Sequence, residues 1–163
     1  MAYTLIATQT LLNPTATVTF TGIPQGFKDL MLECVSNNDV AGSGSQNMRV
    51  RFNGDTGTNY SGTRIYGTGT AASSERDSNT AFIYIGAVGN ASAGPAITTI
   101  NVLSYSNASV YKTALGRGGE AGSAINAGAS LWRSTAAITS ISLVWLAGES
   151  FKTNSVFKLW GVS

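Results

Sequence analysis

Apolar and polar residues alternate with a period of two at many places along the chain, the mark of strands with one face buried. Val18 and Phe20 alternate with Thr17 and Thr19, and Met48, Val50 and Phe52 alternate with Asn47, Arg49 and Arg51. In a last strand over 156–160, Phe157 and Leu159 lie opposite Lys158 and Trp160. Runs rich in β-branched and aromatic residues at 82–85, 97–105, 110–113 and 138–146 predict further strands, and the first begins at residue 3. The Ala-rich stretch 122–132 is the one place where a helix competes. Ile125, Ala127, Ala129 and Leu131 alternate strictly there, and Gly128 would cost a helix about 1 kcal/mol relative to Ala, so it reads as a strand.

Turn-forming clusters at 22–26, 37–39, 42–45, 53–57, 91–95, 106–108 and 116–119 separate these runs. Gly and Asn supply the positive φ of tight turns, and Pro presets φ. They divide the chain into about nine or ten strands with no helical pattern between them. Such spacing predicts an all-β fold: a two-sheet antiparallel sandwich, jelly-roll-like, formed as a single domain over 1–163. The polar segment 66–79 lacks clear alternation and is expected to be a long surface loop.

Length and composition agree with one self-sufficient core. A chain of 163 residues buries roughly 70% of its unfolded surface. With 43% hydrophobic residues and a net charge of +2 it lacks the signature of disorder, and its charged fraction of 11% is too low for a helical bundle. There is no His, which removes the commonest general base and metal ligand. Nucleophile elbows, phosphate loops and Cys-x-x-Cys pairs are also missing. The eight acidic residues, Asp29, Glu33, Asp39, Asp55, Glu75, Asp77, Glu120 and Glu149, are scattered, whereas a glycosidase needs two in one cleft. The expectation is a protein that is not an enzyme and takes no metal or cofactor. Asn53-Gly54-Asp55-Thr56 and Glu75-Arg76-Asp77 do not follow a calcium-loop spacing and read as solvated turns.

The single cysteine, Cys34, sits in an apolar run and reads as a small buried hydrophobe. The start has no secretory pattern, so the sequons at Asn59, Asn90 and Asn107 read as accidental, with synthesis in the cytoplasm. The longest apolar stretch, around 141–147, falls far short of the ~20 residues that cross a bilayer, and no membrane partner is expected. Nucleic acid is not expected either: the surplus is two positive charges, whereas phosphate binding commonly uses about six to ten contacts. Arg49 and Arg51 on one strand face either blunt an exposed sheet edge or meet a partner's carboxylates and carbonyls.

Several large side chains fall in positions that fit either an interface or the completion of the core. Trp132 and Trp160 lie opposite the core-facing residues of their strands, and Tyr60 and Tyr66 sit near strand ends. Trp, Tyr and Arg are enriched at protein interfaces because they bury large areas and keep a polar handle. Tyr3, Arg49, Arg51, Tyr60, Arg64, Tyr66, Arg117, Trp132, Arg133 and Trp160 are therefore the candidate assembly contacts.

The turn Arg51-Phe52-Asn53-Gly54-Asp55-Thr56-Gly57-Thr58-Asn59-Tyr60-Ser61 has a familiar form. With Tyr3-Thr4-Leu5-Ile6-Ala7, Thr135-Ala136-Ala137-Ile138-Thr139-Ser140-Ile141 and Phe157-Lys158-Leu159-Trp160-Gly161-Val162, it resembles small virion proteins of tailed bacteriophages. The resemblance implies a β-sandwich virion component, either a capsid decoration (cement) protein or a tail-fibre module for receptor or carbohydrate binding. A fibre subunit needs an anchoring region and shaft, so a sandwich starting at residue 3 is expected to decorate the capsid. The implied partners are the major capsid protein and the chain itself, as a homotrimer on the capsid surface.

Overall fold

The computed structural model describes residues 1–38, 46–88, 94–145 and 149–163, with only the backbone described at 46, 47, 87 and 88. Its regular elements are twelve strands: β1 (Tyr3–Thr10), β2 (Thr17–Phe20), β3 (Asp29–Ser36), β4 (Gln46–Phe52), β5 (Tyr60–Gly67), β6 (Ala72–Thr80), β7 (Ile83–Val88), β8 (Ala96–Leu103), β9 (Lys112–Glu120), β10 (Ala124–Trp132), β11 (Ile141–Val144) and β12 (Val156–Val162). They form an eight-stranded sheet, β1-β12-β3-β8-β9-β10-β5-β6, and a four-stranded sheet, β2-β11-β4-β7, antiparallel throughout.

Within this order lies a jelly roll. The quartet β1-β12-β3-β8 faces β2-β11-β4-β7, with the chain passing back and forth between the sheets. Two hairpins are inserted into it, β5–β6 between β4 and β7 and β9–β10 between β8 and β11. Because β10 pairs with β5, the hairpins join each other and extend one half of the sandwich from four strands to eight.

The buried faces follow the alternation where the two sheets stack. Val18, Phe20, Met48, Val50, Phe52, Phe157 and Leu159 are all core, as is Cys34. Phe151 packs edge-on against Phe157 at 5.0 Å between ring centres, closing the core under the end of β12.

Four expectations need correction. The described residues form twelve strands rather than about nine or ten, because the hairpin β5–β6 occupies a stretch whose polar part shows no alternation. The polar segment 66–79 is not a loop, because its larger part forms β6, which pairs with β5 residue by residue from Gly67↔Ala72 to Ser61↔Ser78 and, past a bulge at Asn79, at Tyr60↔Thr80. As an outer strand it has no core to face, so alternation is absent and polar side chains protect its edge. Residues 116–119 are not a turn but lie inside β9, where Gly116 must lack a side chain: a Cβ there would overlap Ile85 of β7. Arg49 and Arg51 do not blunt an edge, since β4 is interior, between β11 and β7. The turn clusters at 42–45 and 91–93 and the sequon at Asn90 lie outside the described residues.

Candidate interaction surface

The outer face of the eight-stranded sheet has no covering layer among the described residues, and its side chains line up in cross-strand rows. One row runs through Val156, Val35, Ile97, Gly119, Ile125, Gly67 and Ala72, apolar across seven strands. The next carries Lys158, Glu33, Thr99, Arg117, Ala127 and Ile65, with Lys158 Nζ 3.0 Å from Glu33 Oε1. A third holds Leu5, Trp160, Met31, Asn101, Leu115 and Ala129. Ile97, Ile125, Ile65 and Leu115 remain 61%, 68%, 62% and 49% exposed. Full burial of such a side chain stabilises by about 1.5–3 kcal/mol, so this face forgoes a large gain as long as it is open to water.

Strand β10 shows why the face is apolar. Its alternating residues Ile125, Ala127, Ala129 and Leu131 point outward, while Ala124, Asn126, Gly128, Ser130 and Trp132 point inward. β7 lies close beneath the inserted strands, and ahead of Trp132 the inward positions of β10 are the short residues Ala124, Asn126, Gly128 and Ser130, so its aliphatic set faces out. Asn126 Nδ2 donates to the Gly86 carbonyl of β7 at 2.8 Å, so part of this inner contact is polar. Over Ala127 and Ala129 the outer face sinks into shallow grooves of about 590, 600 and 670 Å³. Thr63, Ile65, Leu115 and Arg117 form their walls, and Tyr66 is the one aromatic residue among the lining of the three.

The ten candidate contacts separate into four places. Tyr3, Trp160 and Arg117 stand on the outer face, where Trp160 lies between Leu5 and Met31 with its Nε1 covered and unbonded. Tyr60 and Trp132 are corrections as surface contacts, because both are buried and stack on each other at 6.2 Å with Phe52 beside them. They complete the core where β4 and β5 diverge. Arg64 is held by Glu75 and Asp77, and Tyr66 donates to Glu75 at 3.3 Å; Arg133 bonds Ser61, the Thr58 carbonyl and Asn79 Oδ1. Arg64 and Tyr66 thus tie β5 to β6 within one hairpin, and Arg133 ties the end of the β9–β10 hairpin to the β5–β6 hairpin. Arg49 and Arg51 are on the opposite side of the molecule, on the open face of the four-stranded sheet.

The exposed aliphatic residues Ile65, Ile97, Leu115 and Ile125 were not among the candidates. Their sequence signal is the alternation itself, which does not say which of the two faces is inside.

The familiar turn at 51–61 serves the fold. Asn53 and Gly54 adopt positive φ, 52° and 66°, and Asp55 N bonds Phe52 O at 3.0 Å, which makes a tight turn of the primed type. Asn53 Oδ1 accepts from Thr139 N and Ser140 N, and its Nδ2 donates to Ala137 O, fastening the segment 137–140. Asp55 accepts from Gly57 N, Asn59 Nδ2 and Trp132 Nε1 at 2.7–2.9 Å. Partial burial alone would raise its pKa, but the bonds from Trp132, Asn59 and Gly57 outweigh burial and hold it below the usual carboxylate range. With its oxygens taken by donors, Asp55 is a structural acceptor.

Lys112 is fully buried at the start of β9, and its Nζ donates to the carbonyls of Asn107, Val110 and Thr135 at 2.5, 2.7 and 3.0 Å. Burial pushes its pKa below the ordinary lysine value. Among the described residues no group of three His, Cys, Asp or Glu side chains is gathered to hold a metal ion, and no helix is long and apolar enough to cross a membrane. No protein-family model matches the chain, and no curated protein matches its sequence.

Proposed function

We propose that the protein is a virion structural protein of a tailed bacteriophage, a capsid decoration protein that binds the assembled shell at capsomer junctions and holds neighbouring subunits together. The observation that carries this reading is the inverted strand β10, which turns Ile125 and Leu131 outward on a broad sheet face. Seven inter-strand gaps of ~4.8 Å and three residue steps of ~6.8 Å give that face an area of roughly 700 Å². This is close to the ~800 Å² that each partner contributes to a standard stable interface.

Low charge suits such a role. Among small and aliphatic side chains the face carries the Lys158–Glu33 pair, which neutralises itself, and the exposed Arg117, so covering it desolvates few charges. Binding only the assembled shell stabilises it by mass action, and a homotrimer would multiply modest contacts through avidity. Host recognition through sugar stacking, the rival implied by the same resemblance, calls for a groove lined with aromatics, Asn and Asp. The grooves here do hold Asp77, Asn101 and Asn126, but Tyr66 is their one aromatic, and aliphatic and small residues, Ile65, Leu103, Leu115, Ile125 and Leu131 among them, line most of the rest, which favours protein over glycan as the occupant.

Purified protein is mixed with shells that lack it and sedimented. Wild type is expected to co-sediment, and Ile97→Asp with Ile125→Asp to stay in the supernatant while keeping the wild-type circular dichroism spectrum. Failure of the wild type to sediment with shells overturns the proposal, as does unchanged binding by the folded double variant.

A further inference from the structure

On the open face of the four-stranded sheet, Arg49 and Arg51 project from β4 toward the aromatic side chains at the start of β7. The Arg51 guanidinium lies 3.9 Å from the centre of the Phe82 ring, and Arg49 lies 5.2 Å from Phe82 and 5.3 Å from Tyr84. Arg64 reaches the same Tyr84 ring at 5.4 Å. Three guanidinium groups and two rings thus form one continuous row.

The three arginines differ in what meets their outer edges. Arg64 is gripped by Glu75 and Asp77, one carboxylate on each terminal nitrogen. Arg51 donates through Nε to the Ala81 carbonyl at 3.2 Å. Neither Arg49 nor Arg51 has a carboxylate within ion-pair distance among the described residues. Stacking fixes the plane of a guanidinium and leaves its in-plane N–H groups directed outward, the geometry that a carboxylate accepts in bidentate fashion.

We propose that Arg49 and Arg51 are a docking site for an extended acidic segment of a partner protein, one carrying Asp or Glu at alternate positions. Two residues on one strand face are ~6.8 Å apart, so the matching carboxylates sit at i and i+2 of a chain in extended conformation. The molecule contains its own template for this recognition: Glu75 and Asp77, two apart on β6, hold the stacked Arg64. Charge complementarity selects the occupant, and two arginines are too few for the roughly six to ten phosphate contacts of a nucleic-acid surface. The site lies on the face opposite to the apolar rows and does not depend on what covers those.

The test follows the arginine Nε–H signals of isotopically labelled protein by NMR during titration with a blocked Gly-Glu-Thr-Glu-Gly peptide. A Gly-Gln-Thr-Gln-Gly peptide and a thymidine oligonucleotide run in parallel. Arg49 and Arg51 signals are expected to shift saturably with the acidic peptide, at least tenfold more tightly than with the amide peptide, while Arg64 stays in place. In Arg49→Gln with Arg51→Gln, the backbone amides of Phe82 and Tyr84 should no longer respond. Arg49→Lys with Arg51→Lys, which keeps the charge, should bind several-fold more weakly. Equal response to the amide peptide, no response to the acidic one, or tighter binding of the oligonucleotide would each overturn the proposal. None of these outcomes bears on binding to shells.

Discussion

Trp132 Nε1 donates a 2.7 Å hydrogen bond to Asp55 Oδ2, joining the end of β10 to the turn that follows β4. One residue belongs to an inserted hairpin and the other to the jelly-roll framework. The bond is charge-assisted and shares its acceptor with Asn59 Nδ2 at 2.9 Å, so the carboxylate clamps three chain segments.

Asp55→Asn and Trp132→Phe should each destabilise the fold, with a coupling of about 1–2 kcal/mol in a double-mutant cycle read by chemical denaturation. The folded-state pKa of Asp55 is lowered, so its contribution is present above the unfolded value of about 4 and is lost as pH falls through the folded one. Asp55→Asn should flatten the acid limb of the stability profile. An unchanged acid limb would contradict the clamp.

Tyr60 should titrate late. Burial pushes its pKa up to about 12, outweighing the Phe52 backbone bond that favours the anion. Because the folded value is the higher one, the stability it contributes is whole below the unfolded value of about 10 and disappears as pH rises through about 12. In a 295 nm absorbance titration, Tyr60→Phe should remove amplitude from the high-pH end near 12.

Lys112→Met should cost about 2–4 kcal/mol, because it keeps the apolar stem but leaves three buried carbonyls without a donor. Amide exchange in segment 106–111 should accelerate even where the global fold survives. Wild-type stability in Lys112→Met would show that water satisfies these carbonyls.

Gly116→Ala places a Cβ against Ile85 and should destabilise by about 1–3 kcal/mol. Gly26→Ala, where the new methyl meets open space at an ordinary φ, should stay within about 0.5 kcal/mol of wild type. Thermal melts of the two variants give the comparison directly.

Much of the framework was legible from alternation. β2, β4 and β12 present to the core the residues that their patterns promised, because each has the facing sheet behind it and no second layer in front among the described residues. β6 was hidden because an edge strand with polar residues on both faces has no period to detect. The candidate surface was legible in part. Choosing by residue type found Tyr3, Trp160 and Arg117 on the broad face, and Arg49 and Arg51 on the other, but also Tyr60 and Trp132, whose rings are large enough to fill the gap where β4 and β5 separate. The row containing Phe82 and Tyr84 was invisible, since it depends on β7 pairing with β4.

By itself the sequence determined that the chain would be strands and tight turns. Period-two patterns, the Asn53-Gly54 turn and the scarcity of helix-forming runs are local properties, and local sterics and hydrogen bonding suffice to produce them. Only the tertiary structure decided which sheet each strand joins and which of its faces lies inside. Alternation states that two faces differ, and Ile125, Ala127, Ala129 and Leu131 look like a core face until β7 comes close beneath β10 and takes Ala124, Asn126, Gly128 and Ser130 as the inward set. β7 also packs closely on β8, where Gly86 lacks a Cβ over Thr98, and on β9, where Gly116 lacks one over Ile85, so the inserted strands and β8 sit tight on β7 and the aliphatic residues of β10 lie outside.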